Sequence, residues 1–550
     1  MHWIHSDLER LVAKEVSYQG RPGGLLEIPK DRSHGDLTTS ACLTGEGPSR
    51  TRGWAWAQEV EGSLHRSITG DASLSRSIEK VEAVRPGFIN FFLKPSYLKS
   101  FLPHWIQSAG DLGPLQFGNG ERVVIEFVSA NPTGPLTIAH GRQAAVGDTL
   151  ARLLQRAGFE VTKEYYLNDV GNQMRILGAS LFSHYLEACG RPAQFPDDGY
   201  KGGYLRELAQ ELYRREEGGW LDSEGAQLER FTDFAASKIL QGIREDLEEF
   251  DVRFDVWFSE KKLHAGGAIA KVLDRLRQDG WLYEAEGALW LKSTRAGDDK
   301  DRVVRKSDGG LTYLAADIAY HQDKFARGFN RLINILGPDH HGYVPRLKAS
   351  VESLGFSKDQ LSVIIVQLTT LFRNGQPVRM STREGEFVTL HELVREVGRD
   401  AARFFFLMRR SESPLDFDLE LAKSQSQANP VYYLQYAHTR IASLGRFAGA
   451  LGEPAAGDFD RLEAQEETEL MRLLWQYPYL LVKCAELLAP HLVTVYLKDL
   501  AQAFHTFYDR HRVVSDDASL TRARLGLARA VQAVLKDGLG ILGVTAPEKM

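Results

Sequence analysis

Hydrophobic and polar positions follow two different periods along the 550-residue chain, and the changes of period divide it into regions. The run Val123-Val124-Ile125-Glu126-Phe127-Val128 is apolar and β-branched, then breaks at Asn131-Pro132-Thr133-Gly134-Pro135. From Ile138 the spacing turns helical. Ala144, Leu150, Leu153 and Leu154 share one face and Gly158 is the stop, which predicts a helix over 138–157. A strand over 161–167 follows at once. This is a βαβ unit, the start of a doubly wound parallel sheet. A helix after Leu311 and short apolar runs at 332–336 and 363–368 resume that sheet. Between the two halves, charged helical sections at 205–217 and 231–250 and an exposed-edge strand at 287–291 read as an insertion, their charges being solvated faces.

The two ends differ from this middle. Residues 7–16 have helical spacing, and 25–29 and 87–93 alternate like strands, with Phe88, Phe91 and Phe92 as sheet core. From about residue 420 the pattern is almost wholly helical, with helices predicted over 431–448, 466–488, 493–513 and 519–539. The expected fold is α/β multidomain. It has an N-terminal α+β domain (1–110), a Rossmann-like parallel-sheet core (111–420, insertion about 190–300) and a C-terminal all-α helical bundle (421–550).

Composition narrows the function classes. Hydrophobic residues make up 43% and charged residues 25%, ordinary for a soluble globular protein. With 67 basic against 73 acidic residues, a globally basic nucleic-acid binder is excluded, and any such contact must use local patches. Cys42, Cys189 and Cys484 form no CxxC pair, which speaks against a structural metal or a disulfide framework and fits a reducing cytoplasm. The N-terminus has no signal-peptide pattern, and no apolar run reaches membrane-spanning length.

The candidate chemistry sits at the strand–turn–helix. The first N–H groups of a helix lack internal partners, and its dipole favours an anion there, so 131–142 suits a phosphate, with His140 and Arg142 placed at the mouth. Asn131, Asn168 and Asp169 lie at carboxyl ends of strands, where ligands of such sheets bind. In the polar loop 378–387, Arg379 and Arg383 flank the hydroxyls Ser381 and Thr382, chemistry that suits a polyphosphate. Tyr432, Tyr433 and Tyr436 cluster on one predicted helix, as bundle core or as base-stacking groups.

Several motifs in this order resemble those of arginyl-tRNA synthetases of bacterial type, which are class I aminoacyl-tRNA synthetases. Glu126 to Pro135 is similar to that family's lead-in to its first signature, and Thr137-Ile138-Ala139-His140 occupies the signature itself. Tyr165 to Gln173 and Gly337 to Arg346 resemble two further blocks. Arg379-Met380-Ser381-Thr382-Arg383 stands where the second signature falls, and Asn429 to His438 is similar to the start of the anticodon-binding bundle. The likeness covers essentially the whole chain. It departs at Thr137, where the family carries histidine, at Arg379 and Thr382, where it carries lysines, and at Gly134, where a compensating lysine would stand. The segment 41–67 also fits the family poorly.

The resemblance implies ATP-dependent activation of L-arginine to arginyl-adenylate, then transfer to the 3′ end of tRNA(Arg), with arginine activation needing tRNA. ATP enters with Mg²⁺ as a substrate complex. Thr137, His140, Arg379, Ser381 and Arg383 carry the catalysis, with Arg383 supplying the missing cation. Thr137, His140, Gly337, Asp339, His340 and Met380 hold ATP, while Glu126, Asn131, Tyr313 and Asp317 hold arginine. Glu126, inside an apolar strand, needs a cationic partner, either the α-amino group of arginine or a protein cation. The resemblance places tRNA contacts at Arg85, Phe88 and Asn90 near the N-terminus and at Tyr433, Tyr436, Tyr508 and Met550 near the C-terminus. It implies a monomer. The alternative is a paralogue that binds tRNA or arginine without charging.

Overall fold

The computed structural model describes residues 4–16, 26–29, 31–44, 53–111, 113–221, 227–378, 388–447 and 452–550. The central layer is a five-stranded sheet of β1 (Arg122–Glu126), β2 (Glu160–Leu167), β3 (Val256–Ser259), β4 (Arg331–Leu336) and β5 (Leu361–Ile365), in the order β5-β4-β1-β2-β3. All four pairings are parallel. From β1 the chain builds outward through β2 and β3, then returns to the other side of β1 for β4 and β5. The order therefore switches between β1 and β4, where doubly wound sheets bind ligands.

Helix α1 (Ile138–Arg156) connects β1 to β2. Gly158, at φ +97°, ends the turn after it in the left-handed region that glycine adopts freely. Gly147 lets α1 lie close on β1, since a Cβ there would stand 2.3 Å from the Phe127 ring. After β2 come α2 (Asn172–Ala188), α3 (Gly203–Glu216) and α4 (Gln227–Glu249), which pack on one another. The stretch 190–300, read from sequence as an insertion, also contains β3, so only the segments on either side of β3 stand outside the main sheet. Ala288–Leu291, expected at an exposed edge, is instead the largely buried middle strand of a three-stranded antiparallel sheet between Leu282–Ala285 and Arg302–Arg305. Helix α5 (Tyr313–Ala326) leads from it into β4, and α6 (Val344–Ser353) follows.

The N-terminal part is α+β. Phe88–Leu93 is the middle strand between Leu37–Thr39 and Ile78–Val84. Of the strand expected at 25–29, Leu25 lies outside the described residues; among the others Glu27 pairs, through an isolated bridge to Thr38. The C-terminal part is a bundle of α7 (Pro430–Phe447), α8 (Gln465–Leu487), α9 (His491–Arg510) and α10 (Ala518–Leu542), each within three residues of its predicted start and end. The N-terminal part docks on α8 through Arg472–Asp36 (2.8 Å), with the carboxylate almost wholly buried, and Arg32–Glu469 (3.0 Å).

Candidate active site

A cleft of about 550 Å³ opens at the switch point between β1 and β4. Its lining brings together Glu126 and Asn131 from the end of β1, Asn168 after β2, Tyr313 and Asp317 on α5, and Gly337, Asp339 and His340 after β4. His140 lines it from the start of α1. All four residues expected to hold arginine therefore share one cavity. Tyr313 opens α5, so Asp317 stands one helical turn further along the same face.

The chain turns sharply after β1. Val128 (φ +65°) and Ser129 (φ +41°) both adopt left-handed backbone, costly for a β-branched residue. The turn aims Ser129 Oγ at Glu126 Oε1 (3.3 Å). Glu126 has the cation it requires: Lys324 Nζ, fully buried on α5, donates to Oε2 at 2.5 Å. Lys324 also donates to Asn334 Oδ1 (3.3 Å), and Asn334 Nδ2 reaches His321 Nε2 (3.3 Å). His321 Nδ1 lies 2.8 Å from the Asp317 carbonyl, so it carries the proton and Nε2 accepts. Burial pushes His321 down to about 3, which keeps it neutral in this chain of bonds.

The inner end of the cleft is acidic. Burial pushes the Asp317 carboxyl up to about 7. Glu126 and Glu260 add to the rise, against the Tyr343 hydroxyl hydrogen bond and Lys324. Glu260, almost fully buried, was not anticipated. It follows β3, and Asp169 grips the chain on both sides of it, accepting from Ser259 Oγ (2.6 Å) and the Lys261 N–H (3.1 Å). Glu126, Glu260 and Asp317 all line this end of the cleft; Lys324 pairs with Glu126, and Glu260 meets His264 Nε2 at 3.3 Å. Among the described residues the carboxylates outnumber the lysine and arginine side chains paired with them here, the condition that suits a cationic ligand.

The outer end differs. Thr137 caps α1 and does not line the cleft; its N–H donates to His140 Nδ1 (3.1 Å). His140 Nδ1 is therefore the acceptor nitrogen, and Nε2 carries the proton as a donor. Burial lowers His140 to about 4, weakly opposed by Asp339, so it offers a neutral N–H and no charge. Gly337 N-caps the short turn Pro338–Tyr343, where Asp339 pairs with His340 Nε2 at 3.3 Å. Arg142 is not at the mouth. It is fully buried and donates to the Gln367 carbonyl (2.9 Å) and the Arg410 carbonyl (3.0 Å). Arg379, Met380, Ser381, Thr382 and Arg383 lie outside the described residues. The residues just after that loop join the first signature: Thr389 bridges to Thr137, and the Leu390 N–H donates to the Leu136 carbonyl (2.8 Å).

The residues expected to meet nucleic acid do not line the cleft. Arg85 stacks over Trp54 (5.5 Å), and Phe88 is half-buried beside it on the small sheet. Asn90 points inward at 2% exposure and accepts from Thr38 Oγ1 (2.7 Å), which makes it part of that sheet's interior and not of its surface. In the bundle, Tyr433 and Tyr436 meet His505 with ring centroids at 4.8 and 5.9 Å, and Arg440 lies 3.8 Å over Tyr508. Met550 is exposed at the end of the chain.

Three families match consecutive parts of the chain. They are the arginyl tRNA synthetase N terminal domain (residues 4–93), the catalytic domain of class I tRNA synthetases (R) (106–413) and the DALR anticodon binding domain (434–550). An arginine–tRNA ligase of Desulfosudis oleivorans is 47% identical over 96% of this chain and 94% of its own length. That of Bacillus subtilis is 43% identical over 96% and 95%. The Thermus thermophilus arginyl-tRNA synthetase structure has the same fold, with a TM-score of 0.78, 22% identity and both chains covered in full. Matched along nearly its whole length, with an acidic cleft at the switch point of its sheet, the chain belongs to the arginyl-tRNA synthetase family.

Proposed function

We propose that the protein charges tRNA(Arg). It condenses L-arginine with ATP to arginyl-adenylate, then passes the arginyl group to the 3′-terminal ribose of the tRNA. The observation that carries this reading is the acidic lining of the cleft within a whole-length family match: Glu126, Glu260 and Asp317 converge there, with Lys324 paired to Glu126. Arginine brings two cationic groups to this end, its guanidinium and its α-ammonium.

In this reading Asp317 and Glu260 take the planar guanidinium, and Tyr343 orients Asp317. Glu126 Oε1, steered by Ser129 and neutralised on its other oxygen by Lys324, takes the α-ammonium. Asn131 and Tyr313 close over the amino acid. The arginine carboxylate oxygen attacks the α-phosphorus of ATP, and the bond to pyrophosphate breaks. ATP enters as its magnesium complex. His140 donates its Nε2–H to a phosphate oxygen, while Gly337, Asp339 and His340 border the nucleotide. Arg379 and Arg383, from the loop next to Thr389, neutralise the leaving pyrophosphate. A terminal ribose hydroxyl then attacks the acyl carbon, its proton passing to the adenylate phosphate, and AMP departs. Catalysis is positioning and charge stabilisation, with no covalent enzyme intermediate.

We assign tRNA contacts to Arg85 and Phe88 at one end and to Tyr433, Tyr436, Tyr508 and Met550 at the other, with the chain acting as a monomer in the cytoplasm. Charging assays with arginine, lysine and citrulline test the assignment of the cleft. Citrulline keeps the shape of arginine without the charge, and lysine keeps the charge without the planar fork. Arginine alone should be charged; efficient charging with citrulline would refute a guanidinium site built on Asp317 and Glu260.

A further inference from the structure

Helix α1 begins at the cleft with His140 and carries Asp148, Arg152 and Arg156 along its second half. Asp148 is fully buried. It accepts from Arg403 Nη2 (2.7 Å), Arg152 Nε (2.8 Å) and Lys163 Nζ (3.1 Å). Burial pushes the Asp148 carboxyl up, but the three cations outweigh it and hold the group below the usual carboxylate range.

Arg403, on the helix Arg399–Leu407, is also fully buried, and its remaining donors reach two other helices. Nε donates to the Leu542 carbonyl (2.8 Å), the last residue of α10. Nη1 donates to the Phe250 carbonyl (3.0 Å), one residue past the end of α4. Both carbonyls belong to helix C-termini, where unpaired oxygens and the dipole concentrate negative charge. One guanidinium thus joins the helix that starts at the cleft, the helix that precedes β3 and the last helix of the bundle. Arg152 doubles the link, reaching the Gly540 carbonyl (3.3 Å) and the Asp251 carbonyl (3.0 Å). Gly543 closes the junction: its φ is +68°, and a Cβ there would stand 2.3 Å from Arg403 Nε.

A buried charge cluster is a poor source of stability compared with an apolar core of the same volume, but it fixes geometry, because each charge is costly in any other arrangement. Asp148 lies eight residues beyond His140, about 12 Å along the helix axis. A rigid helix carries a shift at Asp148 to His140, and displacements of about 1 Å can change rates by orders of magnitude.

We propose that Arg403 is a positioning residue: by clamping Asp148 to the C-terminal ends of α4 and α10, it fixes where His140 stands and makes that placement depend on how the bundle is seated. The proposal rests on the reading of His140 and of the bundle given above. Two full-length variants test it. Arg403→Lys keeps the charge but cannot reach three acceptors at once. Gly543→Ala keeps the guanidinium and displaces it from the bundle side. Both are compared with the unmodified chain in arginine-dependent ATP–pyrophosphate exchange at saturating tRNA, with rates divided by the number of sites that form adenylate in the first turnover. That normalisation removes any loss of folded protein.

The expected result is a kcat per active site lowered about tenfold or more, with the KM for arginine and the Kd for tRNA within about twofold of the unmodified chain. The double variant should be no worse than the more damaged single variant, because both act on one contact. Unchanged kcat per active site in Gly543→Ala overturns the proposal even if Arg403→Lys does not fold, as do additive losses in the double variant. An unmodified chain without arginine-dependent exchange would overturn the proposed function itself, and the positioning role with it.

Discussion

Arginine binding should expel a proton from Asp317. Burial, with Glu126 and Glu260 nearby, raises this carboxyl from its ordinary 3.8 to about 7 in the ligand-free cleft. At about 1.4 kcal/mol per tenfold, that gap is about 4 kcal/mol of bias against the ionised form. The penalty is absent below pH 4, grows as pH rises from 4 to 7 and is complete above 7, because the folded value is the higher one. A guanidinium seated on the carboxylate removes most of the bias and returns the group to its ionised form. At pH 6, arginine binding should then release about 0.9 proton, and at pH 8 about 0.1, from the same titration curve. Calorimetric titration of the protein–tRNA complex with arginine, in two buffers of different ionisation enthalpy at each pH, counts these protons. Asp317→Asn should abolish the release at pH 6 and weaken arginine about tenfold to a hundredfold, the worth of one charge-assisted hydrogen bond. Equal proton counts at pH 6 and pH 8, or an undiminished release in Asp317→Asn, would refute the placement of the guanidinium on this carboxylate.

Other outcomes follow from the same geometry. Tyr343→Phe removes a hydrogen bond that lowers Asp317, so the arginine-binding pH profile should move to higher pH; a profile left in place would count against the Tyr343–Asp317 contact. Lys324→Met leaves Glu126 buried without its cation and should cost about 3–5 kcal/mol in chemical denaturation. A Gly147→Ala variant sets a Cβ 2.3 Å from the Phe127 ring and should lose about 1–3 kcal/mol by overpacking, read in the same denaturation experiment. At Gly134 the nearest atoms to a Cβ are those of the Tyr204 ring and hydroxyl, at 3.4 Å or more, so among the described residues the backbone there accepts a side chain without a clash at Cβ. Arg383→Ala should slow adenylation far more than it weakens arginine binding, and Gly134→Lys should restore part of that rate; near-normal turnover in Arg383→Ala would show that the cation comes from elsewhere.

Long-period patterns were legible in the sequence and short ones were not. The helix 138–156 and the four bundle helices were readable because an apolar stripe repeats over several turns. Strand β3 has four residues, lies at the sheet edge and carries no alternation, so neither it nor Glu260 behind it was visible. Leu37–Thr39 is shorter still and is held by pairing with Phe88–Leu93 on one side and the Glu27 bridge on the other. Arg142 was misplaced by proximity in sequence. Two residues beyond His140 on a helix is more than half a turn around the axis, which sends the two side chains to opposite sides. The need of Glu126 for a cation was readable, but Lys324 lies 198 residues away on a helix whose facing only the fold decides. The burial of Asn90 could not be read from the resemblance that offered it as a tRNA contact, because it follows from the central place of the strand Phe88–Leu93 in its small sheet.

The charging reaction itself decides the matter, run with the purified full chain, ATP, Mg²⁺, labelled arginine and total tRNA. Base-labile, acid-precipitable arginyl-tRNA should form with arginine and be lost in Asp317→Asn. Persistent absence of arginyl-tRNA from a folded protein that still binds tRNA or arginine would contradict the proposed function and identify a binding protein that does not charge.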